Sequence, residues 1–376
     1  MFRYRTLGTA ALLVTVLASA GTAGCRRKKV AHPTTPTPTV ATVVNNVTVV
    51  NLTLNITASS SSLTRITTDP GDEQDPAISP DGKTLLFSAR IQVEGKGPEE
   101  AIAGADPETG ARRTMFTASA TASRSPAWLR DGSGFFFASD ASGALSLVRS
   151  MAPKPNAAVS VVLGADAAPS LAHPSLSNDG KKIALQASLK GATQIITVAA
   201  DGSKLTIVGE GESPAMSPDG KRVAFVRQLN GFRQVFLANV DGTNVIQVTS
   251  DPSDSEAPAF SPNGKFLLFS SNRGWDKHPG ATRESVRNLF AAKPDGTDTV
   301  QLTDGDAIAT RADWGKDGFI YFQSNQAGNF DIWRLRPLGE LDAGSSGSSG
   351  PRPAAPTGPA PMKDPNPPAP TTVHGR

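Results

Sequence analysis

Cysteine and histidine are scarce in this chain, which has one cysteine and four histidines among 376 residues. A single cysteine cannot form an intramolecular disulfide. The motifs Gly-x-Ser-x-Gly, His-Glu-x-x-His and Cys-x-x-Cys, which mark serine hydrolases, zinc peptidases and redox sites, are absent. His32 and His374 lie near the two ends, so only His173 and His278 belong to the main part of the chain. We therefore expect a protein without enzymatic activity and without a resident cofactor.

Acidic residues are missing from the beginning of the chain, where Asp69 is the first of them. Arg3, Arg5 and the four basic residues at 26–29 account for the net charge of +3. Between residues 63 and 337, 28 basic residues are outnumbered by 31 acidic ones. A nucleic-acid-binding domain would carry a basic surface there. The charge distribution therefore argues against nucleic acid as a partner.

Residues 1–24 have the organisation of a secretory signal, with arginines before an apolar segment at 7–20 that is short for a membrane span. The segment ends in Thr-Ala-Gly before Cys25, which resembles the bacterial lipobox. That resemblance implies cleavage before Cys25 and lipid attachment to it. The alternative is an ordinary signal peptide with an incidental cysteine. Arg26 follows the cysteine and, by the enterobacterial sorting habit, favours an outer-membrane protein facing the periplasm.

Two segments lack the pattern of a packed domain. Residues 25–62, rich in Pro, Thr, Val and Asn, are predicted to be a tether. Within them, residues 43–57 alternate between apolar and polar types, which is compatible with an edge or partner-binding strand and equally with an unstructured linker. Residues 338–376 are rich in Gly, Ser, Pro and Ala, and we predict a disordered tail.

The main part of the chain, residues 63–337, repeats one β-hairpin pattern six times. Each copy has a short extended stretch, a turn close to Ser-Pro-Asp-Gly-Lys, and an apolar β-prone stretch. Aspartate in such a turn is a backbone-capping residue rather than a metal ligand. Successive turns are 50, 48, 40, 44 and 54 residues apart. Intervals of this size in a β-rich chain predict a propeller with four strands per blade. The turn residues are Asp81, Asp131, Asp179, Asp219, Asn263 and Asp317.

The order of the strands predicts how the ring closes. Residues 62–67 have the pattern of an outer strand, yet they precede the first hairpin. The sixth repeat supplies only three strands, the last of which ends near Arg336. We therefore expect an all-β fold: a six-bladed propeller whose last blade is completed by the N-terminal strand, leaving no unpaired edge at the seam.

The repeat resembles the TolB-type β-propeller repeat in its Pro-x-x-Ser-Pro-Asp-Gly-Lys turn, its Phe-x-Ser strand ending and the Asp-Gly turn before the outer strand. Three copies match closely and three loosely, covering residues 63–337. The resemblance implies a propeller that acts as an envelope scaffold or as a domain fused to a peptidase. TolB itself has an additional α/β domain before its propeller, whereas this chain has the tether there. The resemblance therefore implies a TolB-like module.

The loops that join one blade to the next should ring one mouth of the central channel. They are rich in acids, with Arg124 and Arg311 as nearby cations, and could attract cationic partners or a divalent ion. Alternatively, they are simply solvated loops. Asp75, His173 and Arg311 begin inner strands and should line the channel entrance. The acidic residues of these loops are Asp69, Asp72, Glu73, Asp75, Asp166, Glu210, Glu212, Asp251, Asp254, Glu256, Asp304 and Asp306.

The fifth repeat has the one large insertion, residues 273–287, between its second and third strands. This connection places it on the same face as the acidic loops. Trp275, His278 and Arg283 are residue types typical of an interface anchor. The alternative is that Trp275 packs back onto its own blade.

Three functions are compatible with these features. The first is a lipid-anchored propeller that binds an unidentified envelope or periplasmic protein. The second is a module that binds a small ligand or a polysaccharide in its channel. The third is a metal-assisted propeller hydrolase or lyase, for which the sequence offers neither a second histidine near His173 nor a carboxylate on every inner strand. We expect the first.

Overall fold

A computed structural model describes residues 63–92, 97–111, 113–117 and 122–337. The signal segment, Cys25, the tether with its alternating stretch 43–57, and the tail all lie outside the described residues. No helix among the described residues is long and apolar enough to cross a membrane.

The described residues form six four-stranded antiparallel sheets, one per blade. The predicted all-β, six-bladed propeller is therefore confirmed. Blade 1 contains β2 (Glu73–Ile78), β3 (Leu85–Gln92), β4 (Pro98–Ala105) and β5 (Thr114–Met115), and blade 2 contains β6 (Ser123–Trp128), β7 (Phe135–Ser139), β8 (Ser146–Ser150) and β9 (Val159–Leu163). Blade 3 contains β10 (Leu171–Leu176), β11 (Lys182–Leu189), β12 (Ala192–Ala199) and β13 (Thr206–Glu210), and blade 4 contains β14 (Glu212–Met216), β15 (Arg222–Leu229), β16 (Phe232–Asn239) and β17 (Ile246–Gln247). Blade 5 contains β18 (Ser255–Phe260), β19 (Leu267–Ser271), β20 (Asn288–Ala292) and β21 (Val300–Gln301), and blade 6 contains β22 (Ala309–Trp314), β23 (Ile320–Ser324), β24 (Asp331–Leu335) and β1 (Thr64–Arg65).

The N-terminal strand closes the ring as the sequence predicts. β1 pairs with β24, with Thr64 opposite Arg334. The backbone N–H of Ile66 donates to the carbonyl of Ile332 at 2.8 Å, and the N–H of Ile332 donates to the Thr67 hydroxyl at 2.8 Å. The first and last blades are thus joined by backbone pairing, which removes the free edge that an open sheet would leave at this seam.

The hydrophobic core lies between adjacent blades. In β3, Phe87 faces the seam with blade 6, where it packs with Tyr321 and Ile332. Leu86, the preceding residue of β3, faces the other side and packs with Trp128 of blade 2. Because both faces of the second strand of a blade are buried, that strand is a continuous apolar run instead of an alternating one. Each fully buried large side chain contributes roughly 1.5–3 kcal/mol to stability.

The Ser-Pro-Asp-Gly turns satisfy their own polar groups. Ser79 Oγ donates to Oδ1 of Asp81 at 2.7 Å, and Asp81 Oδ1 also accepts the N–H of Lys83 at 3.1 Å. Gly82 has φ of 72°, a conformation for which glycine has no steric penalty. The hydrogen bond from Ser79 is the main reason that the pKa of Asp81 lies below its ordinary value. These contacts support the interpretation of the repeated aspartates as turn residues.

Candidate functional site

One residue in the inner strand of every blade has a left-handed backbone conformation, with φ between 49° and 53°. At each of them the pairing with the second strand shifts register, as between Gln74 and Ala77 in β2, so two residues oppose one and a β-bulge forms. Five of the six are followed by proline, which has no N–H to donate to the ladder. The bulges place all six residues on the wall of the central channel. They are Asp75, Ser125, His173, Ser213, Ala257 and Arg311.

Hydrogen bonds from neighbouring blades hold several of these bulges. The N–H of Asp75 donates to Gln323 Oε1 at 2.9 Å, and that of Ser213 donates to Gln186 Oε1 at 3.0 Å. The N–H of Ser125 donates to the hydroxyl of Ser88 at 2.9 Å. In each case the acceptor belongs to the second strand of the preceding blade. The strained backbone at the mouth is therefore fixed by the packing of one blade on the next.

Asp75 is the centre of a polar cluster at the channel mouth. One carboxylate oxygen, Oδ1, lies 3.3 Å from Nε of Arg311. The other, Oδ2, accepts the hydroxyls of Ser125 at 3.0 Å and Ser88 at 3.2 Å. Burial opposes ionisation of Asp75, but Arg311, His173 and these two hydroxyls outweigh it and hold the pKa below its ordinary value. Asp75 is therefore an ionised, fully hydrogen-bonded carboxylate.

His173 completes the cluster from blade 3. Its Nδ1 lies 3.1 Å from Nη1 of Arg311 and 3.1 Å from the hydroxyl of Ser125. Burial and then the adjacent Arg311 lower the pKa of His173 to about 4, against the opposing effect of Asp75. The ring is therefore neutral at pH 7. A guanidinium can only donate, and its Nη1–Nδ1 contact at 3.1 Å is shorter than its Nη2–Nε2 contact at 3.5 Å, so Nδ1 is assigned as the acceptor and the proton to Nε2.

The channel continues below this cluster as a cavity of about 180 Å³. Small residues such as Ala127, Ala215 and Ala259 form part of its wall. The carboxylate of Asp313 also lines this cavity. Asp313 accepts the N–H of Ile78 at 2.8 Å, and burial raises its pKa above the ordinary value. The cavity is small beside the 300–1,000 Å³ typical of drug-sized ligands.

Three of the residues predicted for the mouth, Asp75, His173 and Arg311, line the channel, and Arg311 contacts both of the others. The other predicted residues lie on the surrounding loops and strand ends, where most contact arginines. Arg233 lies 3.1 Å from Glu212 and 3.2 Å from Glu256, and Arg287 lies 3.1 Å from Glu256. The further pairs are Arg90 with Asp72, Arg113 with Asp69 and Glu73, Arg124 with Glu100, Arg273 with Asp251, and Arg283 with Asp254.

Glu73 occupies a place that the sequence does not predict. Its side chain is fully buried at the seam between blades 1 and 6, and Arg113 Nη2 lies 3.4 Å from Oε1. Burial raises the pKa of Glu73 to about 8; Asp331 and Asp72 add to this effect, while the Thr67 hydroxyl opposes it. Glu73 is therefore part of the ring closure and does not line the channel.

The insertion of blade 5 begins with a 3-10 helix, Trp275–Lys277, none of whose residues is buried. Trp275 is partly exposed. His278 Nδ1 lies 2.5 Å from Asp306, and Arg283 stacks 4.5 Å above the ring of Phe232 in blade 4 while it pairs with Asp254. These contacts fix the insertion on the face that carries the inter-blade loops.

Within the described ranges, no group of three or more His, Cys, Asp or Glu side chains is placed to hold a metal ion. Arginines contact most of the loop carboxylates. Sequence reasoning singled out Arg124 and Arg283 but missed the pairing arginines Arg90, Arg113, Arg233, Arg273 and Arg287. It also missed Ser88, Ser125 and Gln323 of the mouth. Ser125 could have been found from the sequence. In the inner strands that contain Pro-Ala or Pro-Ser, the residue just before the proline lines the channel.

These features define a six-bladed β-propeller with a polar cluster at one mouth of its channel. No protein-family model and no curated protein matches the chain. Among solved structures, a TolB-type protein of Agrobacterium tumefaciens is 16% identical with a TM-score of 0.53, covering 73% of this chain and 97% of that one. TolB of Acinetobacter baumannii is 19% identical with a TM-score of 0.52, covering 65% of this chain. This chain spans only 58% of the Acinetobacter protein.

The same architecture occurs in an enzyme. A gluconolactonase of Xanthomonas campestris is 13% identical with a TM-score of 0.53, and the match covers 75% of this chain and 93% of that one. At these identities, the comparisons establish a TolB-like propeller fold and leave function to the site itself.

Proposed function

We propose that this protein is a lipid-anchored, non-enzymatic scaffold of the bacterial cell envelope, and that its propeller binds another envelope or periplasmic protein. The likeness of the fold to TolB proteins supports an envelope role. The secretory signal and the lipobox-like ending at Cys25 support export and anchoring, with the outer membrane favoured by Arg26. The tether at 25–62 would let the propeller reach a partner away from the membrane surface.

The difference between the two faces of the disc carries this proposal. On the face with the Ser-Pro-Asp-Gly turns, the polar side chains bond within their own turns, as in Ser177 to Asp179 at 2.6 Å and Ser217 to Asp219 at 2.6 Å. The opposite face has the insertion with Trp275 and the ion-paired loops. Variable loops on a rigid scaffold are where binding specificity is usually placed. The partner surface is therefore assigned to the face with Trp275.

Affinity capture from crosslinked envelopes, followed by binding kinetics with the captured protein, tests this assignment. We expect Trp275→Ala to accelerate dissociation. If Trp275 is a hot spot, the substitution should reduce the binding free energy by about 2 kcal/mol. Replacing the exposed Asp251 and Asp306 by asparagine should mainly slow association and reduce its dependence on salt. Lys181→Ala and Lys221→Ala, on exposed positions of the opposite face, are the matched controls. If the controls weaken binding and the other variants do not, the partner binds the opposite face.

The polar cluster in the channel favours a second function, the binding of a small ligand. Asp75, Ser125, His173 and Arg311 come from four different blades and converge on one end of a cavity. Convergent polar groups at the end of a cavity are the usual composition of a small-molecule site. A ligand would be detected by titrating candidate compounds into the purified protein while its thermal stability is measured.

A further inference from the structure

The polar cluster occupies only one side of the channel mouth. Of the six bulge positions, those of blades 6, 1, 2 and 3 carry the four side chains of the cluster, whereas blades 4 and 5 carry only Ser213 and Ala257. The mouth is therefore lined by Ser125 and three larger polar side chains on one side and by the small side chains of Ser213 and Ala257 on the other. A ligand can enter beside Ser213 and Ala257 and contact the cluster from there.

The groups that this gap presents to a ligand are hydrogen-bond donors. Arg311 has five N–H groups. Its Nε contacts Asp75, and its Nη1 donates to Nδ1 of His173 at 3.1 Å. Its Nη2 lies 3.5 Å from Nε2, which carries the proton in the tautomer assigned above and cannot accept, so the N–H groups of Nη2 and one of Nη1 remain as donors. Neutral His173 has its proton on Nε2 in the tautomer assigned above. The hydroxyl of Ser213 makes no hydrogen bond to any described residue, and it lines the same cavity.

The negative charges near the gap are already neutralised. Asp75 accepts three contacts within the cluster. Glu212 and Glu256, the carboxylates on the strands beside the gap, are held by Arg233. Arg124, the residue before Ser125 in β6, has its Nε 3.6 Å from the carboxylate of Glu100. An anion at the gap therefore meets donors and paired acids. Deeper in the cavity, Asp313 accepts the N–H of Ile78, and burial raises its pKa and so disfavours its charge.

From this arrangement we infer that the channel mouth binds a small carboxylate, held by the free N–H groups of Arg311, by His173 Nε2–H and by the Ser213 hydroxyl. A guanidinium is suited to a planar carboxylate because its N–H groups match the two oxygens. The cavity of about 180 Å³ limits the ligand to a short acid. This inference deepens the small-ligand function and is independent of protein docking on the outer face.

The test uses the purified full-length protein and the probes acetate, succinate and phosphate, with succinamide as the uncharged analogue of succinate. Binding is measured by calorimetry and by the NMR signals of the imidazole of His173 at pH 7. We expect acetate or succinate to bind and to shift the His173 signals, and succinamide to bind at least about tenfold more weakly because it lacks the charge. His278, on the insertion, is the internal control, and its signals should stay unchanged.

Two substitutions at the gap are expected to leave the cluster itself intact. Ser213→Ala removes one donor and should weaken carboxylate binding about fivefold. Ala257→Glu places a tethered carboxylate in the gap and should weaken binding of the free acid at least about tenfold. Circular dichroism and thermal unfolding confirm that each variant is folded. The inference is wrong if the parent protein binds neither acid, if phosphate and the acids act alike, or if Ala257→Glu binds the acids like the parent. None of these results would affect the scaffold function.

Discussion

Arg311 and Asp75 meet across the seam between the last and the first blade, with Nε of the arginine 3.3 Å from Oδ1 of the aspartate. The two residues come from opposite ends of the repeat array, so their ion pair can form only when the ring is closed. The same closure is made at the outer rim by β1 and β24. Closure of the propeller and assembly of the channel mouth are therefore one structural event.

The first prediction concerns this ion pair. Asp75→Asn should lower the free energy of unfolding by about 1–3 kcal/mol, because the half-buried guanidinium of Arg311 loses its charged partner. The pKa of Asp75 is below its ordinary 3.8 in the folded protein, so the stability it contributes is present above that pH and is lost as the pH falls further. Urea unfolding of both proteins at pH 7 and pH 3 should show a stability difference that shrinks at pH 3.

Asp276→Asn, at an exposed carboxylate of the insertion, is the control for this experiment. Its effect should stay within about 0.5 kcal/mol, as is usual for surface substitutions. An equal cost for the two substitutions would mean that the contact with Arg311 contributes nothing particular to stability.

The sequence predicts the ring because every repeat contains its own hairpin signal. The Ser-Pro-Asp-Gly turn around Asp81 and the apolar stretch after it are local features, and they need no knowledge of neighbouring blades. The closing strand at Thr64–Arg65 is also recognisable, since its pattern matches the outer strands β17 and β21. The confirmed architecture thus follows from local patterns repeated at a fixed interval.

The electrostatics of the mouth could not be predicted in the same way. Arg233 lies in a hairpin of blade 4, yet it reaches Glu256 of blade 5. The length and tilt of the hairpins decide which charged side chains of adjacent blades become neighbours, and the repeat pattern does not specify either property. The inner-strand bulges were missed for a related reason: the register shift at Asp75 becomes visible only when β2 is paired with β3.

The second prediction concerns the pH dependence of stability at the seam. The pKa of Glu73 is about 8 in the folded protein against an ordinary 4.5, because the side chain is buried. For a group whose folded pKa is raised, the contribution to stability is complete below the unfolded pKa and is lost as the pH rises through the folded one. The free energy of unfolding of the parent protein, relative to that of Glu73→Gln, should therefore decline between pH 5 and pH 9, by an amount on the order of a few kcal/mol.

Glu108→Gln, at an exposed glutamate of the same blade, controls for the removal of a carboxylate as such. Chemical unfolding of the three proteins across this pH range gives the comparison. If both substitutions change the pH profile alike, the burial of Glu73 at the seam is not the cause.

The third prediction concerns closure of the ring. Deleting residues 26–61 leaves β1 in place, and we expect a propeller with the stability of the parent. Deleting residues 26–68 also removes Ile66 and Thr67, whose contacts with Ile332 tie β1 to β24. The unpaired edge of β24 and the exposed seam should then lower the melting temperature by several degrees or promote aggregation. Equal melting temperatures of the two truncated proteins would show that blade 6 does not need its outer strand.

The fourth prediction concerns the proposed membrane anchor at Cys25. Cleavage before Cys25 would remove the apolar segment at 7–20 with the signal, and no helix among the described residues is long and apolar enough to cross a membrane. Acyl chains on Cys25 would supply the apolar area for membrane binding, and more than one chain is needed for stable attachment. Cys25→Ser should therefore move the propeller from the membrane fraction to the soluble fraction. Arg26→Ser, one residue later, is the matched control and should leave the protein in the membrane. If a Cys25→Ser protein with a cleaved signal stays in the membrane fraction through salt and carbonate washes, something other than lipid at Cys25 holds it there.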